Sequence, residues 1–272
     1  MDPLRTVSLS ARHAVTVDED YLALIRRAPS QDYVVRTLAK RMAGDTLLMS
    51  GELVIAGQST REAFPLAKAY PLHFRKTYYP GQLRGDPKGE FERHTRASEL
   101  IGIPPPIGHQ GGTFRSCLLP GRPFHLVSSP FGSEPEESNL KHADKLPLAS
   151  AAGLWQLAEQ IFATLTTLHH AGMTHGDAEL HNFIVCPAPL EVLPIDFDMS
   201  AMKDAQSDED WAEHCARDFE PLLKVAVYLQ CTLGAQASEL GQLAQTRIDT
   251  LFKRSALFKK AITDRAGLLS TL

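Results

Sequence analysis

The chain has 272 residues, of which 43% are hydrophobic and 22% are charged, and its formal net charge is -4. These fractions are typical of a globular protein and exclude a disordered chain. The small negative charge argues against a protein that binds nucleic acid non-specifically. No apolar run reaches the roughly 18 residues that a membrane span needs, and the first residues form no apolar leader. We therefore expect no integral membrane segment.

The cysteines also bear on the cellular compartment. All four are far apart in the sequence, and none forms a C-x-x-C pair: Cys117, Cys186, Cys215 and Cys231. This spacing argues against a zinc site or a disulfide framework and favours buried thiols in a reducing compartment. We expect a cytoplasmic protein.

The first 44 residues predict two short helices. Residues 18–28 begin with acidic residues and end with two arginines, which suits the two ends of a helix dipole. Residues 30–44 begin with Ser30 as a cap and end at Gly44. We expect a helical N-terminal extension.

The next part of the chain predicts a small antiparallel sheet. Between residues 45 and 79, short β-prone runs are separated by glycine, serine and proline, and one of these runs is FPLAKAY at 64–70. A charged helix over residues 90–102 follows, and the IPPP run after it stops this helix. TFRSCLL at 113–119 predicts a further strand.

The second half of the chain is mainly helical. Residues 122–148 are rich in proline, serine and glycine and predict a loop. Residues 148–172 predict a long helix with apolar residues at three- and four-residue steps. Two short strands follow, and then helices over residues 210–233 and 246–265. The order predicts an α+β fold with a small β-rich N-lobe and a helical C-lobe.

Residues 175–198 carry the chemistry. His175-Gly176-Asp177 follows the long helix, Asn182 lies five residues beyond Asp177, and Asp196 follows the predicted pair of strands. Phosphoryl transfer needs one carboxylate to accept a hydroxyl proton, and amide and carboxylate oxygens to bind Mg²⁺. These residue types therefore indicate a phosphotransferase.

The same segment resembles the protein-kinase-like superfamily, whose catalytic loop is His-x-Asp-x-x-x-x-Asn and whose metal motif begins with Asp-Phe. The resemblance implies a two-lobed kinase fold that uses ATP and Mg²⁺. It implies that Asp177 is the catalytic base, that Asn182 and Asp196 bind the metal, and that His175 orients the loop. With the helical extension at 1–44, we expect the N-lobe at 45–119 and the C-lobe at 120–272.

The superfamily also needs a strand lysine that holds the nucleotide phosphates and pairs with a glutamate on the next helix. Lys76 is our choice, because it lies in a β-prone run directly before the charged helix, and Lys68 is the alternative. Glu92 is our choice for the glutamate over Glu90 and Glu99. Its distance from the end of the helix resembles the spacing in aminoglycoside-phosphotransferase-like kinases.

SCLLPG resembles the hinge of those kinases, which implies that the backbones of Cys117 and Leu119 bind adenine. No G-x-G-x-x-G motif precedes Lys76. The phosphate-covering loop is then either a degenerate version at 44–57 or the loop PGQLRGDPKG at 80–89.

Three departures point away from ordinary eukaryotic protein kinases. Gly176 replaces the usual arginine, Glu179 replaces the usual lysine, and Asp198 replaces the glycine of Asp-Phe-Gly. HGD with a non-glycine after IDF resembles RIO-type atypical kinases. YYPG, GIPPP, HGD and IDFD together resemble the Kdo and lipopolysaccharide-core kinases. These resemblances cover about residues 70–200.

The sequence therefore predicts an ATP- and Mg²⁺-dependent kinase. We expect the acceptor to be a Ser/Thr hydroxyl of a protein, because residues 122–148 are too few for the helical insert that binds small molecules in many antibiotic kinases. A sugar or lipopolysaccharide-core hydroxyl is the alternative acceptor. A pseudokinase, which would bind nucleotide without turnover, is the second alternative, and the missing glycine motif is its best support.

Overall fold

A computed structural model describes residues 5–79, 86–125 and 150–254 of the chain. The described residues form two compact units. The first unit contains those up to Pro120 together with Asp196–Met199, and the second contains those between Gly121 and Ile195 and from Ser200 onward. In this part of the chain, no helix is long and apolar enough to cross a membrane.

The first unit is built on a five-stranded antiparallel sheet. Its elements in chain order are β1 (Thr6–Ser8), β2 (Ala14–Thr16), α1 (Glu19–Arg27), β3 (Tyr33–Ala43), β4 (Thr46–Ile55), α2 (Gln58–Ala63), α3 (Pro65–Ala69), β5 (Leu72–Tyr78), α4 (Pro87–Ile101), β6 (Pro106–Gln110) and β7 (Thr113–Cys117). β1 pairs with β2, and the large sheet has the strand order β3-β4-β5-β7-β6. β5, which carries Lys76, is therefore the central strand.

The helix α4 follows β5, and both of its ends are capped. The Asp86 side chain accepts a hydrogen bond from the Gly89 amide, and Pro87 occupies the first helical position. Gly102 ends the helix with φ = 68°, a left-handed conformation that glycine adopts without strain. The predicted charged helix is thereby confirmed.

The structure corrects the second helix predicted for the N-terminal extension. Residues 33–43 form the edge strand β3, which pairs with β4 across the turn at Gly44 and Asp45. Gly44 has φ = 58° in this turn. Both a helix C-terminus and a tight hairpin favour a glycine in the left-handed conformation, so Gly44 suited either structure.

A second correction concerns FPLAKAY, predicted as a strand. The structure has the helix α3 in its place, and Pro65 lies at the first turn of that helix. Proline suits this position because its missing N–H would have no helical partner there.

The N-terminal elements pack on the sheet. Val7, Leu9, Leu22 and Ile25 form one apolar cluster with Leu53, Ile55 and Leu72 of β4 and β5. Helix α1, which the sequence predicted, therefore belongs to the core of the first unit.

The second unit is mainly helical. Its elements are β8 (Arg122–Pro123), α5 (Ala151–His170), β9 (Phe183–Pro187), β10 (Leu190–Pro194), α6 (Asp208–Leu233) and α7 (Glu239–Arg254), with 3₁₀ turns at Leu180–Asn182 and Lys203–Ala205. The three short strands pair antiparallel in the order β10-β9-β8. Apolar residues of α5, α6 and α7 form one core, among them Leu157, Ile161, Leu165, Leu222, Ala226, Leu240 and Ile248.

The predicted α+β fold, with a β-rich N-terminal part and a helical C-terminal part, is confirmed. The domain limits at 44 and 119 stay a prediction. Most of the loop predicted at 122–148, the first part of the loop at 80–89 and the end of the helix predicted at 246–265 lie outside the described residues.

Candidate active site

Lys76 is a buried cation surrounded by carboxylates in the first unit. Its ammonium nitrogen is 3.2 Å from Glu90 Oε1, 2.6 Å from Asp196 Oδ1 and 3.3 Å from Asp198 Oδ2. Burial alone would lower the pKa of Lys76, but the negative charges around it, that of Glu90 first, raise this pKa above its ordinary value. Lys76 therefore keeps the positive charge that contact with a phosphate requires.

Tyr78, two residues along β5, joins the same cluster. Its hydroxyl donates to Glu90 Oε2 at 2.7 Å and also lies 3.4 Å from Asp198 Oδ2. Burial raises the pKa of Tyr78 above its ordinary value, so the hydroxyl keeps its proton and remains a donor. Burial also raises the pKa of Glu90 to about 7, although the charge of Lys76 works against this shift. Glu90 is thus held by two donors from β5.

The choice of Glu92 as the partner of Lys76 was wrong. Its side chain is 62% exposed and lies 3.7 Å from the ammonium of Lys88. Glu90, the alternative, shares the buried face of α4 with His94 and Ala97, whereas position 92 falls on a different face. Lys68, the alternative lysine, is exposed on α3.

Asp196 begins a tight turn that α4 holds in place. Asp196 has φ = 66°, a left-handed conformation that is uncommon for a residue other than glycine. The next side chain, Phe197, is fully buried and meets the His94 ring edge-on, with 5.4 Å between the ring centroids. Arg93 donates to the carbonyl oxygens of Phe197 at 2.9 Å and Asp198 at 2.8 Å. Both side-chain and main-chain contacts therefore hold the turn.

The predicted adenine-binding residues lie at the end of β7. Cys117 is the last residue of the strand and pairs with His73 of β5, and Leu119 follows two residues later. Burial raises the pKa of the Cys117 thiol to about 12, so this thiol stays protonated. The role of the two backbones in adenine binding stays a prediction.

Residues 44–57, considered as a degenerate phosphate-covering loop, form the turn after β3, the strand β4 and the two residues after it.

The predicted base and amide ligand lie together in the second unit. Asn182 Nδ2 donates to the carbonyl oxygen of Asp177 at 2.9 Å and to its Oδ2 at 3.1 Å. The Asn182 carbonyl accepts from the Ile195 amide at 2.8 Å. The five-residue spacing thus brings the two side chains together through the 3₁₀ turn that ends at Asn182.

His175 contributes to the packing and main-chain bonding of this loop. Its side chain is fully buried and is tilted against Phe183, with 5.5 Å between the ring centroids. Its carbonyl oxygen accepts from Ser200 Oγ at 2.9 Å. Gly176, next to it, has φ = 83°, which explains a glycine at this point of the loop. The orienting role predicted for His175 stays a prediction.

Asp218 of α6 is a residue that sequence reasoning missed. It is 1% exposed and accepts from the amides of His175 at 2.7 Å and Gly176 at 2.9 Å. His169 Nε2 lies 2.9 Å from the same carboxylate. The signal was present in the sequence, because Asp218 begins a stripe of helical positions that continues with Leu222, Ala226 and Leu229.

The two predicted metal ligands, Asn182 and Asp196, have oxygen donors that suit Mg²⁺. A carboxylate and an amide oxygen are hard ligands, and Mg²⁺ at nucleotide sites takes one or two protein carboxylates plus phosphate oxygens. Because Asn182 uses its nitrogen toward Asp177, its oxygen is the atom left to bind a metal. Among the described residues, no group of three or more His, Cys, Asp or Glu side chains is placed to hold a metal ion.

The resemblance implied three features: a lysine on a β-strand, a glutamate on the next helix and a His-Gly-Asp loop. A solved structure to which the chain is similar is the crystal structure of the Rio2 kinase–ADP/Mg²⁺–phosphoaspartate complex from Chaetomium thermophilum. The match has a TM-score of 0.44 and 15% identity and covers 91% of this chain and 74% of that one. No family model and no curated protein matches the chain.

Proposed function

We propose that the chain is an ATP- and Mg²⁺-dependent phosphotransferase of the atypical kinase type. The observation that carries this proposal is the contact of the Lys76 ammonium with both Glu90 and Asp196, which lie 14 and 120 positions away in the sequence. In kinases, the lysine that binds the nucleotide phosphates is paired with a glutamate of the next helix.

Five side chains have a proposed task in this reaction. Lys76 holds the nucleotide phosphates, and Glu90 keeps its ammonium in place. Asp177 accepts the proton of the attacking hydroxyl, and Asn182 holds the Asp177 carboxylate in position through its amide. Asn182 and Asp196 are the residues that would bind Mg²⁺, whose positive charge would neutralise the charge that develops on the phosphates.

We propose a Ser/Thr hydroxyl of a protein as the acceptor. The support is the length of the chain between the end of β8 and the start of α5. It is too short for the helical insert that encloses small acceptors in many antibiotic kinases. This proposal concerns the acceptor alone and does not alter the tasks of the other residues.

Transfer from γ-labelled ATP tests the reaction. The Asp177→Asn variant keeps the shape of the side chain but cannot accept the proton, so transfer falls by at least about 10²-fold while Mg-ATP binding is retained. Asp204→Asn, an exposed carboxylate in the second unit, is the matched control and keeps wild-type transfer.

The outcomes separate the alternatives. A fully active Asp177→Asn variant contradicts its role as the base. Transfer to a lipopolysaccharide-core sugar, with none to a protein, replaces the proposed acceptor. Mg-ATP binding without transfer to either acceptor indicates a pseudokinase, and absence of ATP binding contradicts the proposed function as a whole.

A further inference from the structure

Arg93 of α4 makes contacts that have no part in the proposed reaction. Its guanidinium donates from Nε to the Phe197 carbonyl at 2.9 Å and from Nη2 to the Asp198 carbonyl at 2.8 Å. We propose that Arg93 is a positioning residue that holds the turn from Asp196 to Asp198 in the conformation that binds Mg²⁺. This inference rests on the proposed function.

Arg93 acts from the same helix face as Glu90. The two positions are three residues apart, so their side chains lie one turn apart on the face of α4 that meets β5 and the turn. Glu90 holds Lys76, whose ammonium contacts the carboxylates of Asp196 and Asp198. Helix α4 therefore acts on the turn twice, on its carboxylates through Lys76 and on its main chain through Arg93.

The turn needs such support, because Asp196 has φ = 66°. A left-handed conformation is unfavourable for a residue other than glycine, and the surrounding contacts must compensate for this cost. The planar guanidinium of arginine presents several N–H groups in a rigid fork, so one side chain can donate to two successive carbonyls. Lysine has a single ammonium on a flexible stem and reproduces this arrangement poorly.

The sequence of α4 leaves room for this side chain. Gly89 lies one turn before Arg93, and a Cβ atom at Gly89 would be 2.8 Å from Arg93 Nη1 and 2.1 Å from Asp86 Oδ2. A side chain at position 89 would require Asp86 or Arg93 to move, so the guanidinium lies close against the helix at this point.

The loss of Arg93 is expected to weaken the binding of the metal in particular. Arg93 donates to main-chain carbonyls of the turn, so its loss releases the turn but leaves the pair of Lys76 and Glu90 in place. We expect the affinity for Mg²⁺ in the nucleotide complex to fall, while the affinity for ATP without metal stays unchanged.

The test compares Arg93→Ala and Arg93→Lys with Arg96→Ala in the full-length chain. Arg96 is the matched control, because it lies on α4, is exposed and pairs with Glu99. The readouts are the Mg²⁺ concentration that gives half-maximal ATP binding and the ATP dissociation constant without metal. We expect Arg93→Ala to raise that Mg²⁺ concentration roughly tenfold, Arg93→Lys to raise it less, and Arg96→Ala to leave it unchanged.

Two results of the binding measurements overturn the inference. One is an Arg93→Ala variant with the wild-type Mg²⁺ dependence. The other is an equal loss of metal-free ATP binding, which indicates a general weakening of the first unit.

Hydrogen exchange of the amides at 197–199, without nucleotide, separates this inference from the proposed function. Faster exchange in Arg93→Ala than in Arg96→Ala is expected, and equal exchange overturns the inference. A wild-type chain that binds no nucleotide contradicts the proposed function. The exchange result then still decides whether Arg93 holds the turn.

Discussion

At the scale of single residues, the environment of Lys76 is strongly unbalanced. One ammonium faces three carboxylates and a phenol, and three of these partners come from positions that sequence reasoning did not choose: Tyr78, Glu90 and Asp198. The surplus of negative charge supports the proposal that Mg²⁺ binds here together with the nucleotide. Glu92 was chosen by its distance from the end of α4. The buried face of α4, however, decides which glutamate contacts β5.

The two glutamates of α4 make this point testable. Glu90→Gln removes the negative charge that pairs with Lys76, and the loss of a charge-assisted buried contact lowers kcat/KM for transfer by about tenfold or more. Glu92→Gln is the matched control and leaves kcat/KM unchanged, because its side chain is exposed. A loss in Glu92→Gln as large as that in Glu90→Gln would restore the original choice.

We expect a substitution of Asp218 to lower kcat, although Asp218 has no proposed contact with the reacting atoms. In Asp218→Asn, one of the two carboxylate oxygens becomes an NH₂ group, so the buried amide of His175 or the partly buried amide of Gly176 loses its acceptor. An unsatisfied buried donor costs about 1–3 kcal/mol in the free energy of unfolding. We expect kcat to fall with little change in Mg-ATP affinity, as measured by steady-state kinetics and denaturant unfolding.

Glu213→Gln is the control for this variant. Glu213 is exposed on the same helix and pairs with Arg217, so its substitution changes neither property. An Asp218→Asn variant with wild-type kcat would show that the loop keeps its conformation without this anchor.

At the scale of elements, β5 and α4 each bring a histidine into the core of the first unit. His73 of β5 is fully buried and His94 of α4 nearly so. Burial, followed for His73 by the charge of Arg115, lowers the pKa to about 3 for His73 and about 4 for His94. His94 Nε2 lies 3.0 Å from the carbonyl oxygen of Pro104, so the neutral ring donates to it. Both elements therefore depend on neutral histidines.

This dependence predicts a loss of stability in acid. An unfolded histidine takes up a proton near pH 6.5, whereas folded His94 does so only near pH 4, so the unfolded state binds more protons between these values. The free energy of unfolding therefore falls as the pH drops below about 6.5, by roughly 2 kcal/mol from His94 at pH 5, and His94 contributes nothing above that range. Urea unfolding at pH 7 and pH 5 measures the difference.

His94→Gln is the control for the acid effect. The glutamine amide can still donate toward Pro104, but it does not titrate, so the variant loses the part of the pH dependence that belongs to His94. An unchanged slope between pH 7 and pH 5 would contradict the assignment.

Secondary structure was predictable where local signals agreed. For α4, the charged run and the prolines after it predicted a helix over residues 90–102, close to the observed Pro87–Ile101. For β3, a serine and a glycine suggested helix ends, yet the pairing partner in β4 decided the conformation. Strand pairing depends on residues distant in the sequence, so a local pattern cannot report it.

At the scale of the whole molecule, each of the two units has an apolar core of its own. The segment Asp196–Met199 belongs to the first unit, although the residues before and after it belong to the second. A division of the sequence into three successive segments cannot describe this return of the chain to the first unit.

The sequence by itself determined the α+β class, the lysine of the central strand and the spacing that joins Asp177 to Asn182. These features depend on local periodicity and on short separations along the chain. Only the tertiary structure decided that Glu90 pairs with Lys76, that Asp218 anchors the loop and that Arg93 holds the Asp196 turn. These contacts join residues between 14 and 105 positions apart, and which helix face is turned inward decides each of them.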